Sequence, residues 1–274
     1  MTVSAATAVC GIVLHPSGHT RSPAMHNAAY AALGLDAVYV AFDVPDARLA
    51  EAMAGVRALG VRQLSVSIPH KRSVLDHVDD VDATALRIGA ANTVVCREGR
   101  LVASNTDWLG AVRALERERP LGGARAVVLG AGGTARAAVF GLLERGAEVT
   151  VLNRTVPRAE ALAAELGAAS AGSLDALAGT PHDVLVNTTS VGLAEEASPV
   201  PATSIAKGAV VLDAVYSPER TLLLRDAEAR GARAVSGRWM LVHQAVAQLE
   251  AWAGPLDAAR AAEVMAKAFG PPAA

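Results

Sequence analysis

Arg125-Ala126-Val127-Val128-Leu129-Gly130-Ala131-Gly132-Gly133-Thr134-Ala135-Arg136 decides how this chain of 274 residues is read. The apolar run Arg125–Leu129 has the length and content of a buried strand. It runs straight into glycines and then into a helix-spaced segment reaching Arg145, closed by Gly146. The pattern is G-x-G-x-x-A between a strand and a helix. Its glycines allow a tight turn and close approach of the backbone to a pyrophosphate, and the free N–H groups of the helix start receive the anion. A plain glycine-rich turn shares these letters, but the strand before and the helix after favour a dinucleotide site. Gly130, Ala131, Gly132, Gly133, Thr134 and Ala135 are therefore its candidate residues.

Downstream, Glu148–Leu152 reads as a second strand, ending in Asn153-Arg154-Thr155 with Arg158 one turn on. Sites for the unphosphorylated dinucleotide usually place Asp or Glu at this strand end. Two guanidinium forks beside an amide and a hydroxyl suit a 2′-phosphate. Asn153, Arg154, Thr155 and Arg158 thus point to NADP(H), the alternative being two solvated surface arginines. Further strands are expected at Val184–Val186, Val210–Asp213 and Ala232–Val235, with helix at Arg158–Leu166. Strands alternating with helices at this pitch make a doubly wound parallel sheet. After Gly237 the chain reads as helical nearly to its end, broken at Gly254-Pro255.

Upstream, Ala8–Leu14, Ala37–Phe42 and Gln63–Val66 read as strands, with helices over Pro23–Leu33 and Ala47–Ala58. Asn92–Cys96 and Leu101–Ala103 read as a hairpin around Glu98-Gly99. The class is α/β with two domains. Residues 1–106, completed by C-terminal helices 238–274, would bind substrate. Residues 107–237 would form the Rossmann-like nucleotide domain. A junction helix over residues 107–120 would join them without a flexible tether.

Composition narrows the function. Hydrophobic residues make up 52% and aromatics 3%, so the core rests on Ala, Val and Leu. The net charge of −2 argues against a nucleic-acid or anionic-membrane surface. Cys10 and Cys96 are far apart and read as small buried hydrophobes in a reducing cytosol. The N-terminus lacks a basic leader region and reads as a strand; a cytoplasmic protein is expected, a monomer or homodimer. His15, His19 and His26 lack a matching carboxylate or cysteine set, so no metal is expected. No G-x-S-x-G elbow supports a serine nucleophile.

Only three of the 25 basic residues are lysines, Lys71, Lys207 and Lys267. Lys71 closes Ser65-Val66-Ser67-Ile68-Pro69-His70-Lys71, just past a strand end. Arginine holds its proton, whereas a partly buried lysine can give one up, so lysine suits a site of proton transfer. A solvated lysine is the alternative. Asn105-Thr106-Asp107 opens the junction helix. Thr106 or Asp107 can cap it, and Asp107 could also hold an ammonium together with a substrate hydroxyl.

Taken in order, these segments resemble the shikimate dehydrogenase family. Thr20-Arg21-Ser22-Pro23-Ala24-Met25-His26-Asn27 is similar to its S-x-S-P-x-x-H-N segment, and Ser65–Lys71 to its N-V-T-x-P-x-K motif. Gly89–Thr93 resembles G-A-x-N-T, Asn105–Asp107 resembles N-T-D, and Gly130–Arg136 resembles G-A-G-G-x-x-R. Asn153–Arg158 resembles N-R-T-x-x-R, and Asn187–Gly192 resembles N-x-T-x-x-G. Tyr216-Ser217-Pro218 with Thr221 resembles Y-x-P-x-x-T, and Gly237–Gln244 resembles G-x-x-M-L-x-x-Q.

The resemblance implies interconversion of 3-dehydroshikimate and shikimate with NADPH, a step of chorismate and aromatic amino acid biosynthesis. It implies Lys71 as acid/base with Asp107 as partner, and a cleft that closes over the substrate. Thr20 and Ser22 would hold the substrate carboxylate. Ser67, Asn92, Asp107 and Gln244 would hold ring hydroxyls, with Tyr216 nearby. Thr188 would belong to the cofactor site, and Gly237 and Met240 would flank the nicotinamide. Thr20, Ser65, Ser67 and Trp108 depart from the family pattern, and a bulky Trp108 could reshape the pocket. The rivals are a paralogue using quinate or an amino-substituted shikimate, and a nucleotide-binding regulator without turnover. A pure binding module has no need of both Lys71 and Asp107.

Overall fold

Seven apolar residues, Ala8–Leu14, form β1, the strand on which the first sheet is built. The computed structural model describes residues 3–18 and 20–270; His19 lies outside them. The chain divides into two compact units, Met1–Thr106 with Gln244–Ala274, and Asp107–His243.

In the first unit, β1 is followed by α1 (Ser22–Leu33), β2 (Ala37–Asp43), α2 (Leu49–Ala58) and β3 (Gln63–Val66). Then come β4 (Asp80–Val81), α3 (Ala83–Ile88), β5 (Thr93–Arg97) and β6 (Arg100–Ser104). The sheet order is β2-β1-β3-β5-β6-β4. β1 pairs in parallel with both β2 and β3, whereas β5 runs antiparallel to β3 and β6. The start of β5 therefore lies beside the end of β3, with Ser65 opposite Thr93. α2 and the sheet enclose a core of Val13, Leu49, Met53, Leu64, Val66, Val74 and Leu101. Cys10 and Cys96 are both buried, and burial pushes the Cys10 thiol up to about 11. It stays protonated and behaves as a small hydrophobe.

The second unit opens with α4 (Asp107–Glu116), followed by β7 (Arg125–Leu129), α5 (Gly133–Glu144), β8 (Glu148–Leu152), α6 (Val156–Leu166) and β9 (Ser170–Gly172). It continues with β10 (Val184–Asn187), β11 (Val210–Asp213), α7 (Leu222–Ala229), β12 (Arg233–Ser236) and α8 (Gly237–Ala253). Its six strands are all parallel, in the order β12-β11-β10-β7-β8-β9. The order reverses at β7, where an open α/β sheet leaves its ligand crevice. The core beneath is mostly Ala, Val and Leu, including Val128, Ala135, Ala138, Val149, Val184 and Leu212. Short aliphatic side chains let α5 lie close on the sheet. Helix α8 gives Gly237–His243 to this unit and the rest of its length to the first. The last helix, α9 (Ala258–Ala268), returns to the first unit and packs on α1. Among the described residues no helix is long and apolar enough to cross a membrane.

Trp108, on α4, packs edge-on against Phe140 of α5, ring centroids 5.5 Å apart. Trp108, which departs from the family pattern, thus stands on the first helix of the second unit.

His26 is 1% exposed and stacks flat on Tyr39 at 4.1 Å, with Tyr30 edge-on. Burial holds its imidazole down to about 3, opposed only by Gln248. Above about pH 6.5 the imidazole is neutral whether the chain is folded or not. Below that only the unfolded chain takes the proton, so stability falls as pH falls, on the order of 2 kcal/mol from this residue by pH 5. His243, which burial and the charges of Arg117 and Arg113 lower to about 4, acts in the same sense. Asp213, which burial raises to about 6, acts in the opposite sense. The dependence due to His26 is isolated by comparing urea unfolding of wild type and His26→Phe between pH 7 and pH 5. The variant is expected to lose less stability over that range, and equal losses would refute a neutral buried imidazole.

Candidate active site

In the first unit the candidate residues gather where β1 and β3 end and β5 begins. The turn after β3 is closed by His70 N–H donating to the Ser67 carbonyl at 2.8 Å. His70 is fully buried, with Nε2 2.7 Å from the Val44 carbonyl. Its anchoring presets the next residue, Lys71, which is half-buried. The Lys71 carbonyl accepts from Ala91 N–H at 2.7 Å, and the Asn92 carbonyl accepts from Val66 N–H at 2.8 Å. Two main-chain bonds thus bring Lys71 and Asn92 side by side. The loop after β1 joins them through His15 N–H on the Ile68 carbonyl and Ser67 N–H on the Val13 carbonyl, both 3.0 Å. That loop leads to Thr20 and Ser22, where Ser22 N–H donates to Thr20 Oγ1 at 3.3 Å.

Asn92 is 1% exposed. Its Nδ2 donates to Thr106 Oγ1 and to Gln244 Oε1, both at 3.0 Å, and its Oδ1 accepts from Thr106 N–H at 2.8 Å. The Thr106 hydroxyl donates to the Gln244 carbonyl at 3.0 Å. Of the candidates on this unit, Ser67, Lys71, Asn92 and Gln244 are held by one set of hydrogen bonds, with Thr20 and Ser22 on the neighbouring loop. Asp107 opens α4 and is 5% exposed. Tyr216 is half-buried in the segment after β11. Both belong to the second unit.

On that unit, Gly130 has φ +113, and a Cβ there would fall 2.6 Å from Thr188 Oγ1. Only glycine lets the turn pass this close to Thr188, whose hydroxyl donates to the Leu129 carbonyl at 2.6 Å. Gly132 is the N-cap of α5 and offers its first turn no side-chain cap; a Cβ built on it would meet nothing within 4 Å. Open space over uncapped N–H groups suits a pyrophosphate. Ala135 is buried and serves the close packing of α5 on the sheet; Arg136 is buried and paired with Glu165 of α6.

Helix α6 likewise starts at Thr155 without a side-chain cap. Asn153 Nδ2 donates to the Thr155 carbonyl at 3.0 Å and shapes that turn. Arg154 and Arg158 are exposed there. Among the described residues neither side chain is paired with a carboxylate. Two unneutralised guanidinium groups beside a helix N-terminus fit the 2′-phosphate of NADP.

No motif singles out Asp213. It is fully buried at the end of β11 and accepts from the Thr221 hydroxyl at 2.6 Å, Asn187 Nδ2 at 2.9 Å and Val215 N–H at 3.0 Å. It ties together the segments carrying Thr188 and Tyr216. Gly237 meets the same strand end, since a Cβ there would lie 2.5 Å from the Asp213 carbonyl. Met240, one turn on, is 6% exposed within the core.

A parallel sheet with a glycine turn, an uncapped helix and a cationic second strand end, in one chain with a lysine-bearing α/β unit, defines a dinucleotide-linked oxidoreductase. Residues 12–94 match the family model described as shikimate dehydrogenase substrate binding domain, and residues 113–194 match that described as shikimate / quinate 5-dehydrogenase. The chain belongs to the shikimate dehydrogenase family. It is 48% identical over 254 residues to a shikimate dehydrogenase (NADP(+)) of Haloarcula marismortui, covering 91% of this chain and 96% of the relative. The shikimate 5-dehydrogenase of Thermus thermophilus, crystallised with NADP(H) and shikimate, is 40% identical with a TM-score of 0.89, covering 96% of this chain and 100% of that one. A 5-ketofructose reductase of a Gluconobacter species is 36% identical with a TM-score of 0.84, covering 96% and 99% of the two chains.

Proposed function

We propose that the chain catalyses the reversible NADP-linked reduction of 3-dehydroshikimate to shikimate in the cytoplasm. The observation that carries this reading is the anchoring of the Lys71 main chain on Ala91 N–H, next to Asn92 and its partner Gln244, a proton donor beside amides suited to ring hydroxyls. When bound, the nicotinamide supplies the hydride to the ring carbonyl carbon. Lys71 gives its proton to the carbonyl oxygen, which gains negative charge as the hydride arrives. Asp107 orients the reacting hydroxyl and the lysine. Asn92, Gln244 and Ser67 hold the other hydroxyls, with Tyr216 assisting, and Thr20 and Ser22 take the carboxylate. Positioning by these groups turns an encounter into a near-unimolecular step. Gly130–Ala135, Thr188, Gly237 and Met240 form the cofactor's seat, and Asn153, Arg154, Thr155 and Arg158 its 2′-phosphate site.

A substrate panel run with both cofactors tests the reading. Quinate carries an extra hydroxyl at a tetrahedral C1, beside the carboxylate clamp where Thr20 adds a methyl group. An unmet buried hydroxyl costs about 1–3 kcal/mol, so kcat/KM for shikimate is expected to exceed that for quinate at least about tenfold. Comparable values would promote the quinate reading. The Gluconobacter neighbour makes 5-ketofructose a necessary arm of the panel, and faster NADPH oxidation with it than with 3-dehydroshikimate would overturn the proposal.

A further inference from the structure

Gln248 lies one turn beyond Gln244 on α8, and spacing of four puts both side chains on the same helix face. They grip the two ends of one residue. Gln244 Oε1 accepts from the Asn92 side chain at 3.0 Å, while Gln248 Nε2 donates to the Asn92 main-chain carbonyl at 2.9 Å. The other end of Gln248 is held too, its Oε1 accepting from the Ser65 hydroxyl at 2.9 Å. Ser65 Oγ in turn accepts from the Tyr39 hydroxyl at 2.6 Å and from Gln63 Nε2 at 3.1 Å. With one proton given and two accepted, that hydroxyl has no capacity left for a ligand. Ser65 is 4% exposed and Gln248 2% exposed. Tyr39 is in turn tied through its main chain to the Asn27 side chain of α1, the helix that opens at Ser22. Hydrogen bonds therefore run from Asn27 of α1 through Tyr39, Ser65 and Gln248 to Asn92 and its amide partner Gln244.

We infer that Gln248 is a positioning residue for substrate recognition, fixing where Asn92 and Gln244 stand relative to Thr20 and Ser22. It touches no substrate itself and acts through Asn92. The inference rests on the proposed function of that same site. Asn92 and Gln244 hold hydroxyls that do not react, so loosening them removes binding common to ground and transition states. Such a loss raises KM and leaves kcat nearly unchanged.

The test uses full-length Gln248→Met, which keeps length and loses both bonds, and Gln248→Asn, which stays polar but is one methylene too short to bridge Ser65 and Asn92. Wild-type reduction of 3-dehydroshikimate is measured first, and its absence would sink the function proposal, not this inference. Given wild-type turnover, both variants are expected to raise KM for 3-dehydroshikimate about tenfold, with kcat within about threefold and KM for NADPH unchanged. A role in folding alone would lower Tm and the active fraction without moving KM, and that result would overturn the inference. If the methionine variant fails to fold, the asparagine variant decides by the same KM criterion. An unchanged KM in either folded variant also overturns it.

Discussion

Replacing Lys71 with alanine is expected to lower kcat by about 10²–10⁴-fold, the usual contribution of a positioned acid/base group. Fold and NADPH affinity should survive, because what holds the turn is the main chain of Lys71 and the buried ring of His70. Lys71→Arg is the sharper probe. It keeps the charge and can still hold an anion, but its guanidinium does not release a proton. A kcat within a few-fold of wild type in Lys71→Arg would remove the proton-transfer role and leave Lys71 as an electrostatic anchor. Steady-state kinetics in both directions, with NADPH affinity measured separately by fluorescence titration, distinguish the two.

The second large effect concerns cofactor choice. With Arg154 and Arg158 exposed, without a carboxylate partner among the described residues and set at the uncapped start of α6, each charge-assisted hydrogen bond to a 2′-phosphate is worth roughly tenfold or more in affinity. The double variant Arg154→Ala/Arg158→Ala is expected to raise KM for NADP about 100-fold and to change KM for NAD little. The attraction is electrostatic and exposed, so the wild-type preference should shrink as salt rises. Equal wild-type efficiency with NADP and NAD would refute the clamp, as would an equal loss for both cofactors in the double variant.

Much of the nucleotide unit is legible in order along the chain. Arg125–Leu129, Glu148–Leu152 and Val210–Asp213 stand at the same residues in sequence pattern and structure, since a parallel strand covered on both faces reads as a near-continuous apolar run. Gly130 is legible for a steric reason, because no side chain fits 2.6 Å from Thr188 Oγ1. β4 and β9 carry no such signal. They are two and three residues long at sheet edges, and Ser170-Ala171-Gly172 has no strand preference of its own. Asp213 is silent because an aspartate inside an apolar run has the same letters at a solvated strand end. Only the arrival of Thr221, Asn187 and the Val215 N–H makes it a buried hub.

The α/β class, the glycine turn, the basic strand end and the ordered motifs that mark the family are written in the amino-acid order. Each is a local signal, read from neighbours within one turn or strand. What those residues are joined to is settled by folding in three dimensions. Gln248 meets Ser65 across 183 positions and Asn92 across 156, and no period along the chain encodes such a meeting. It arises because the antiparallel β5 sets Asn92 beside the end of β3, and because α8 lays Gln244 and Gln248 against both. Trp108 shows the same division. Its letter marks a departure from the family pattern, but only packing places its ring on Phe140, where apolar area is removed from water.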